Sequence, residues 1–168
     1  MSSKIAIMTF DNEEKAGEVM ASVKKLQKDN LVDLKDMVVV VKNQKGKIKV
    51  TETADFTKGR GVATGGALGF VIGLMIGGPI GGALLGGAAG YLAGKKIDLG
   101  VSNDKIKSVT DEMVDGSSAI FIQLGSDKHA DIIANLLGNS GGSLYEVDLT
   151  DEHEADIDDA LADTVMRH

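Results

Sequence analysis

Residues 61–94 run for thirty-four positions without a charged side chain. Within them Gly65, Gly69, Gly73 and Gly77 recur every four residues, and Gly78, Gly82, Gly86, Gly90 and Gly94 do the same. The other side chains are mostly Ala, Leu, Ile and Val, with Phe70, Met75 and Tyr91. A spacing of four aligns the glycines in one row along a helix. A row without Cβ atoms lets a second backbone approach closely and gain dispersion contacts. In water each such glycine costs a helix roughly 1 kcal/mol relative to Ala. An environment must offset that cost. Lipid does so by leaving the backbone no water to bond to, and a buried helix–helix interface does so by packing.

Gly77-Gly78-Pro79 divides the run, since Gly suits the end of one helix and Pro the first turn of the next. Two arms result, 62–77 and 79–94. Each is about 24 Å long at about 1.5 Å per residue, a little short of a hydrocarbon core of about 30 Å. A re-entrant hairpin and two short spans both fit. Lys58 and Arg60 precede the hairpin and Lys95 and Lys96 follow it, so both ends prefer the cytoplasmic side. The alternatives are a buried hairpin at the core of a soluble ring, shell or filament, and a small pore. A polar linker fits worst, because linkers are rich in Ser and this segment carries large aliphatic side chains. Thr64 is the one polar side chain among the apolar ones, which disfavours an open aqueous channel.

Charge separates the rest of the chain. Residues 1–58 carry +2, residues 59–96 carry +3 and residues 97–168 carry −12. The acidic final third repels phosphate, so nucleic acid is not an expected partner. It also argues against that third lying flat on an anionic leaflet. There is no cysteine, hence no disulfide, thiol nucleophile or Cys-based zinc site. The opening residues lack the charged and apolar regions of a secretory signal.

Around the hairpin, patterning predicts an α/β domain. Residues 4–10 read as a strand. Asp11 and Asn12 are capping residues, with Glu13 and Glu14 in the first turn of a helix whose stripe is Ala16, Val19, Met20, Val23 and Leu26. Residues 37–41 form a buried strand, Asn43-Gln44-Lys45-Gly46 a tight turn, and 47–51 a second hairpin strand. After the insertion, Ser102 or Asn103 caps a helix with Ile106, Val109, Met113 and Val114. A strand at 118–124, a helix at 127–137 ended by residues 138–142, and a strand at 143–149 follow. Residues 151–163 are an acidic tail or a frayed helix. The expected fold is α+β: a ferredoxin-like βαββ–αβ sandwich ending at the strand 118–124, with an extra αβ unit after it, interrupted by the glycine-rich hairpin. The implied organisation is 1–58 and 97–149 as two halves of one domain, 59–96 as the hairpin and 150–168 as the tail.

A search for chemistry returns little. Gly90-Tyr91-Leu92-Ala93-Gly94-Lys95-Lys96 lacks the spacing and the hydroxyl of a phosphate loop, so nucleotide binding is not expected. His129, His153 and His168 are scattered and do not make a metal site. The acidic tail is rich in oxygen ligands but lacks the calcium-loop pattern with its central Gly and terminal Glu. Ser117, Ser118, Ser140 and Ser143 read as caps and turns, not as a nucleophile elbow. No catalytic residue, cofactor or metal is expected.

Three stretches carry a family likeness. The first runs from Glu14-Lys15-Ala16 through Leu26-Gln27-Lys28 and Leu34-Lys35-Asp36 to residues 38–41. The second is Gly46-Lys47-Ile48-Lys49-Val50, and the third is the glycine hairpin with Gly100-Val101-Ser102 after it. The strand Ala119-Ile120-Phe121-Ile122 then follows. Together they resemble a widespread prokaryotic family of membrane proteins with a domain of unknown function, over most of the chain to about residue 150. The resemblance implies membrane association, no cofactor and no assigned activity. The expectation is a non-enzymatic protein of the cell membrane whose hairpin inserts in the bilayer and self-associates into a homo-oligomer, its α/β domain facing the cytoplasm.

Overall fold

The computed structural model describes residues 3–52, 108–109, 111–124 and 130–149. In this part the protein is α+β, with one five-stranded antiparallel sheet and two helices. The segments expected to form a glycine-rich hairpin and an acidic tail lie outside the described residues.

Strand β1 (Ser3–Phe10) leads into helix α1 (Lys15–Lys28). The N-cap is Glu14 rather than the expected Asp11 or Asn12, and it makes no side-chain cap bond; Asn12 lies two residues earlier, its Oδ1 accepting the Lys15 N–H at 2.7 Å. The helix begins at Lys15, later than expected, so Glu13 and Glu14 precede it and Glu18 is its first-turn acid. The stripe Ala16, Val19, Met20 and Val23 is buried, with Leu26 packed beside it. Asn30 ends the helix in the left-handed region at φ 58°. The Leu31 N–H then reaches back to the Leu26 carbonyl at 2.9 Å and the Asn30 N–H to the Gln27 carbonyl at 3.0 Å. That pair of bonds satisfies carbonyls the helix leaves open.

Strand β2 (Leu34–Lys42) is longer than the expected 37–41 and carries a register shift between Leu34 and Asp36. The turn into β3 (Ile48–Glu52) is held by Asn43, whose Oδ1 accepts the N–H groups of Lys45 and Lys47, each at 2.9 Å. Gly46 supplies the positive φ the turn needs. The chain re-enters as β4 (Ser117–Leu124), continues through α2 (Ala130–Gly138) and closes with β5 (Ser143–Leu149).

The sheet order is β3-β2-β4-β1-β5. β4 lies between β1 and β2, and β1 lies between β4 and β5, so the units β1-α1-β2 and β4-α2-β5 interlock. This corrects the expected division of labour. The αβ unit read as an addition belongs to the interlocked centre, and the edge strand outside it is β3. Patterning could not decide this, because neighbourhood in a sheet is set by pairing, Val38 meeting Glu52 on one side and Phe121, 83 residues away, on the other, and not by order along the chain.

One face of the sheet packs on the helices. Ala6, Met8 and Phe10 of β1, Met37 and Val39 of β2, and Ile120, Ile122 and Leu124 of β4 join the α1 stripe with Ile133 and Leu137 of α2. Burying each large aliphatic side chain there contributes about 1.5–3 kcal/mol. The opposite face alternates with it and is equally apolar: Ile5, Ile7, Val40, Ala119 and Phe121 are fully buried, as are Val38 and Val147 to within a few per cent.

Candidate functional site

Two points join the sheet to the long segment between β3 and β4. The chain leaves from Glu52, opposite Val38, and returns to Ser117, opposite Lys42. Both β2 neighbours belong to one strand. With strands about 4.8 Å apart and about 3.3 Å per residue, the two points are roughly 16 Å apart.

The return is anchored across four strands. Ser108, Val109, Asp111 and Glu112 are helical, and Val109 and Met113 are buried. The Glu112 carboxylate accepts a hydrogen bond from the Thr9 hydroxyl of β1 at Oε2 and another from the Tyr145 phenol of β5 at Oε1, the latter at 2.8 Å. The Lys42 ammonium of β2 donates to the Met113 carbonyl at 3.2 Å and pairs with Asp115 at 3.8 Å. In β4 the Ser117 hydroxyl donates to the Val114 carbonyl at 2.6 Å and lies 3.8 Å from the Met113 sulfur. Thr9, Lys42, Ser117 and Tyr145 all stand on the sheet face away from α1 and α2.

The returning segment is also tied to the β2–β3 hairpin. The Gly116 N–H donates to the carbonyls of Lys42 and Asn43, at 2.8 and 3.2 Å, so the re-entry turn rests on the β2–β3 hairpin. Gly116 has φ +84°, and a Cβ there would stand 2.4 Å from the Gln44 amide. Beneath, Ser118 pins the start of α1: its hydroxyl donates to the Asn12 carbonyl at 2.7 Å and accepts the Ala16 N–H at 3.2 Å.

Burial raises the Tyr145 phenol above its usual range, and the hydrogen bond to Glu112 and that carboxylate's charge act in the same direction. An open groove of about 350 Å³ beside this cluster is bordered by Phe10, Glu112, Val114 and Gly142. Both Glu112 oxygens are already engaged by hydroxyl donors, which makes the carboxylate a clasp and not a free base. Among the described residues no group of three or more His, Asp or Glu side chains is placed to hold a metal ion.

A model of the DUF1269 family, described as proteins of unknown function, matches residues 62–162, more than half of the chain. The chain belongs to the DUF1269 family. No curated protein and no solved structure matches it. The DUF1269 match takes in the second half of the sheet but not β1, β2 or β3. β5 pairs with β1, and β4 with β1 and β2, so the strands inside the DUF1269 match need the preceding residues to form a sheet.

Every residue that the sequence assigned to packing or to the membrane boundary lies outside the described residues: Gly65, Gly69, Gly73, Gly77, Gly78, Pro79, Gly82, Gly86, Gly90, Gly94, Lys58, Arg60, Lys95 and Lys96. Among the described residues no helix is long and apolar enough to cross a membrane. Sequence reasoning missed the Glu112 clasp, whose partners are 103 and 33 residues away. The available signals were a Thr inside the apolar run of β1 and a Tyr in the alternating β5. Val114, expected on the apolar stripe, is 55% exposed because the helical turn ends at Glu112 and the chain bends there into β4.

Proposed function

We propose that this is a non-enzymatic, membrane-associated protein that inserts and self-associates through its glycine-zipper hairpin, with a ferredoxin-like domain on the cytoplasmic side. The observation that carries the reading is the attachment of both ends of the insertion to one sheet, at Glu52 and Ser117. An apolar segment held at both ends by one folded unit must leave the bilayer on the side it entered. A hairpin satisfies that condition and a single span does not. The basic pairs Lys58/Arg60 and Lys95/Lys96 support the same orientation. The interlocked β1-α1-β2 and β4-α2-β5 units support the ferredoxin-like assignment, with β3 as an added edge strand.

In this reading the glycine rows bring hairpins together within the bilayer, and Gly69, Gly73, Gly82 and Gly86 are the central packing positions. The Glu112 clasp holds the hairpin to the domain. Partners are the lipid bilayer and further copies of the chain, with no cofactor, nucleotide or nucleic acid. The deciding experiment is liposome flotation with an alkaline carbonate wash, comparing the full chain with a variant whose residues 61–94 are replaced by a short Gly/Ser linker. The full chain floats and resists the wash; the variant stays in solution with its sheet intact. A full chain that remains in solution as a large uniform particle would refute membrane insertion. Gly73→Leu and Gly82→Leu reduce oligomer size in detergent, and unchanged size would remove the zipper from the reading.

A further inference from the structure

The sheet ends at β3 on one side and at β5 on the other, and among the described residues no strand lies beyond either. An edge strand keeps an outward row of backbone N–H and C=O groups that can pair with another chain, and charged side chains are a common way to restrict that pairing. The two edges of this sheet carry opposite charges. On the face that packs on α1 and α2, β3 presents Lys49, the register partner of Val41. Lys47, two residues earlier, continues the same side, its carbonyl accepting the Asn43 N–H at 2.9 Å. On the same face β5 presents Glu146 and Asp148, the register partners of Ala6 and Lys4. All four side chains are exposed. Lys4 of β1 lies 3.8 Å from Glu146, which leaves that margin with two acids to one base.

We propose that the β3 edge of one copy of this chain docks on the β5 edge of a second copy, extending the sheet from copy to copy. Four antiparallel pairings separate β3 from β5, so the two edge strands point the same way. With the helices of both copies on one side of the sheet, β3 therefore meets β5 in parallel. A register with Lys49 beside Asp148 also sets Lys47 beside Glu146, and on the other face it sets Ile48 beside Val147. In each strand the two charges are two residues apart, about 6.6 Å, so both ion pairs form together. Pairing like with like fails on the same residues. β5 against β5 gathers Glu146 and Asp148 with their own copies, and β3 against β3 gathers the lysines; like charges facing each other across strands are destabilising. The edge charges thus discriminate against self-pairing and admit the mixed pairing. A mixed contact is head-to-tail, so it closes into a ring or runs open as a filament. Two short strands bury little surface, which makes the contact weak, salt-sensitive and dependent on concentration. It does not involve the glycine rows and stands whether or not they associate.

Because the chain has no cysteine, introduced thiols report the contact directly. Full-length Lys49→Cys is mixed with full-length Asp148→Cys carrying a tag of different length, and treated at low salt with a short thiol-to-thiol cross-linker. The expected product joins the two different chains, at roughly fivefold or more the yield of either like-with-like product. Like-with-like products in equal or greater yield, or no product, would overturn the proposal. Charge reversal gives a reading independent of thiols. Lys49→Glu or Asp148→Lys alone weakens self-association in sedimentation roughly fivefold, and the two together in one chain restore it. Both positions are exposed, so circular dichroism of each variant matches that of the parent chain. An assembly held by the glycine rows alone is indifferent to all three variants, and that outcome, or a double variant no better than the single ones, would also overturn the proposal.

Discussion

Phe121→Ala tests whether the second face of the sheet is a true core. Phe121 has no exposed surface, although α1 and α2 lie on the opposite side. Its register neighbours are Ile7 on β1 and Val38 on β2, themselves 0% and 3% exposed. Removing a phenyl ring from such a site loses its transfer free energy and leaves a cavity lined by stiff β-branched side chains, which relax poorly. The cost for a buried Phe is about 3–5 kcal/mol. Were this face open to water in the native protein, the ring would keep only its lateral contacts and its loss would cost about 1 kcal/mol. Domains of this size are stable by about 5–15 kcal/mol, so the two cases are well separated. The assay is equilibrium urea unfolding of the full chain in detergent, followed by far-ultraviolet circular dichroism, with Ile122→Ala on the helix face as the reference. A Phe121→Ala loss below about 1.5 kcal/mol, with Ile122→Ala costing the usual 2–5 kcal/mol, would refute a two-sided core.

The clasp makes further predictions. Glu112→Ala costs about 2–4 kcal/mol, from two hydrogen bonds to a charged group, and a double-mutant cycle with Tyr145→Phe gives a coupling of about 1 kcal/mol; zero coupling would dissolve the clasp. Tyr145 ionises above the usual phenol value of about 10, so its contribution to stability is complete below that pH and is lost as pH rises from there through the folded-state value. Absorbance titration at the tyrosinate band in a Tyr91→Phe background reads it, and Glu112→Gln brings the ionisation back toward the ordinary range. Gly142→Ala destabilises by about 1–3 kcal/mol, because a Cβ there would stand 2.3 Å from the Thr9 carbonyl oxygen and 2.8 Å from the Phe10 ring. Unchanged thermal stability of that variant would contradict the close approach of β1 to the start of β5.

Local elements were legible wherever one side of a segment is apolar and a turn residue bounds it. The α1 stripe, the Asn43–Gly46 turn and the strands β1, β4 and β5 follow from periods of 3.6 and 2 and from side chains that bond their own backbone. The uncharged glycine rows were equally plain, because spacing alone aligns them. Strand neighbourhood was not legible. β4 could enter the sheet between β1 and β2 only once its two faces, Ile120 with Ile122 and Ala119 with Phe121, were both buried, and an unbroken apolar run does not say which strands flank it. The clasp was hidden for the same reason. Glu112 in the sequence is one acid beside another, and its carboxylate gains meaning only when tertiary pairing brings Thr9 and Tyr145 within hydrogen-bonding reach. Sequence determined the periodic elements, the charge asymmetry and the apolar insertion, all of which depend on neighbours along the chain. The tertiary structure decided which strands touch, that the sheet is buried on both faces, and that both ends of the insertion are fastened to one sheet, because those depend on free energies shared between residues far apart in sequence.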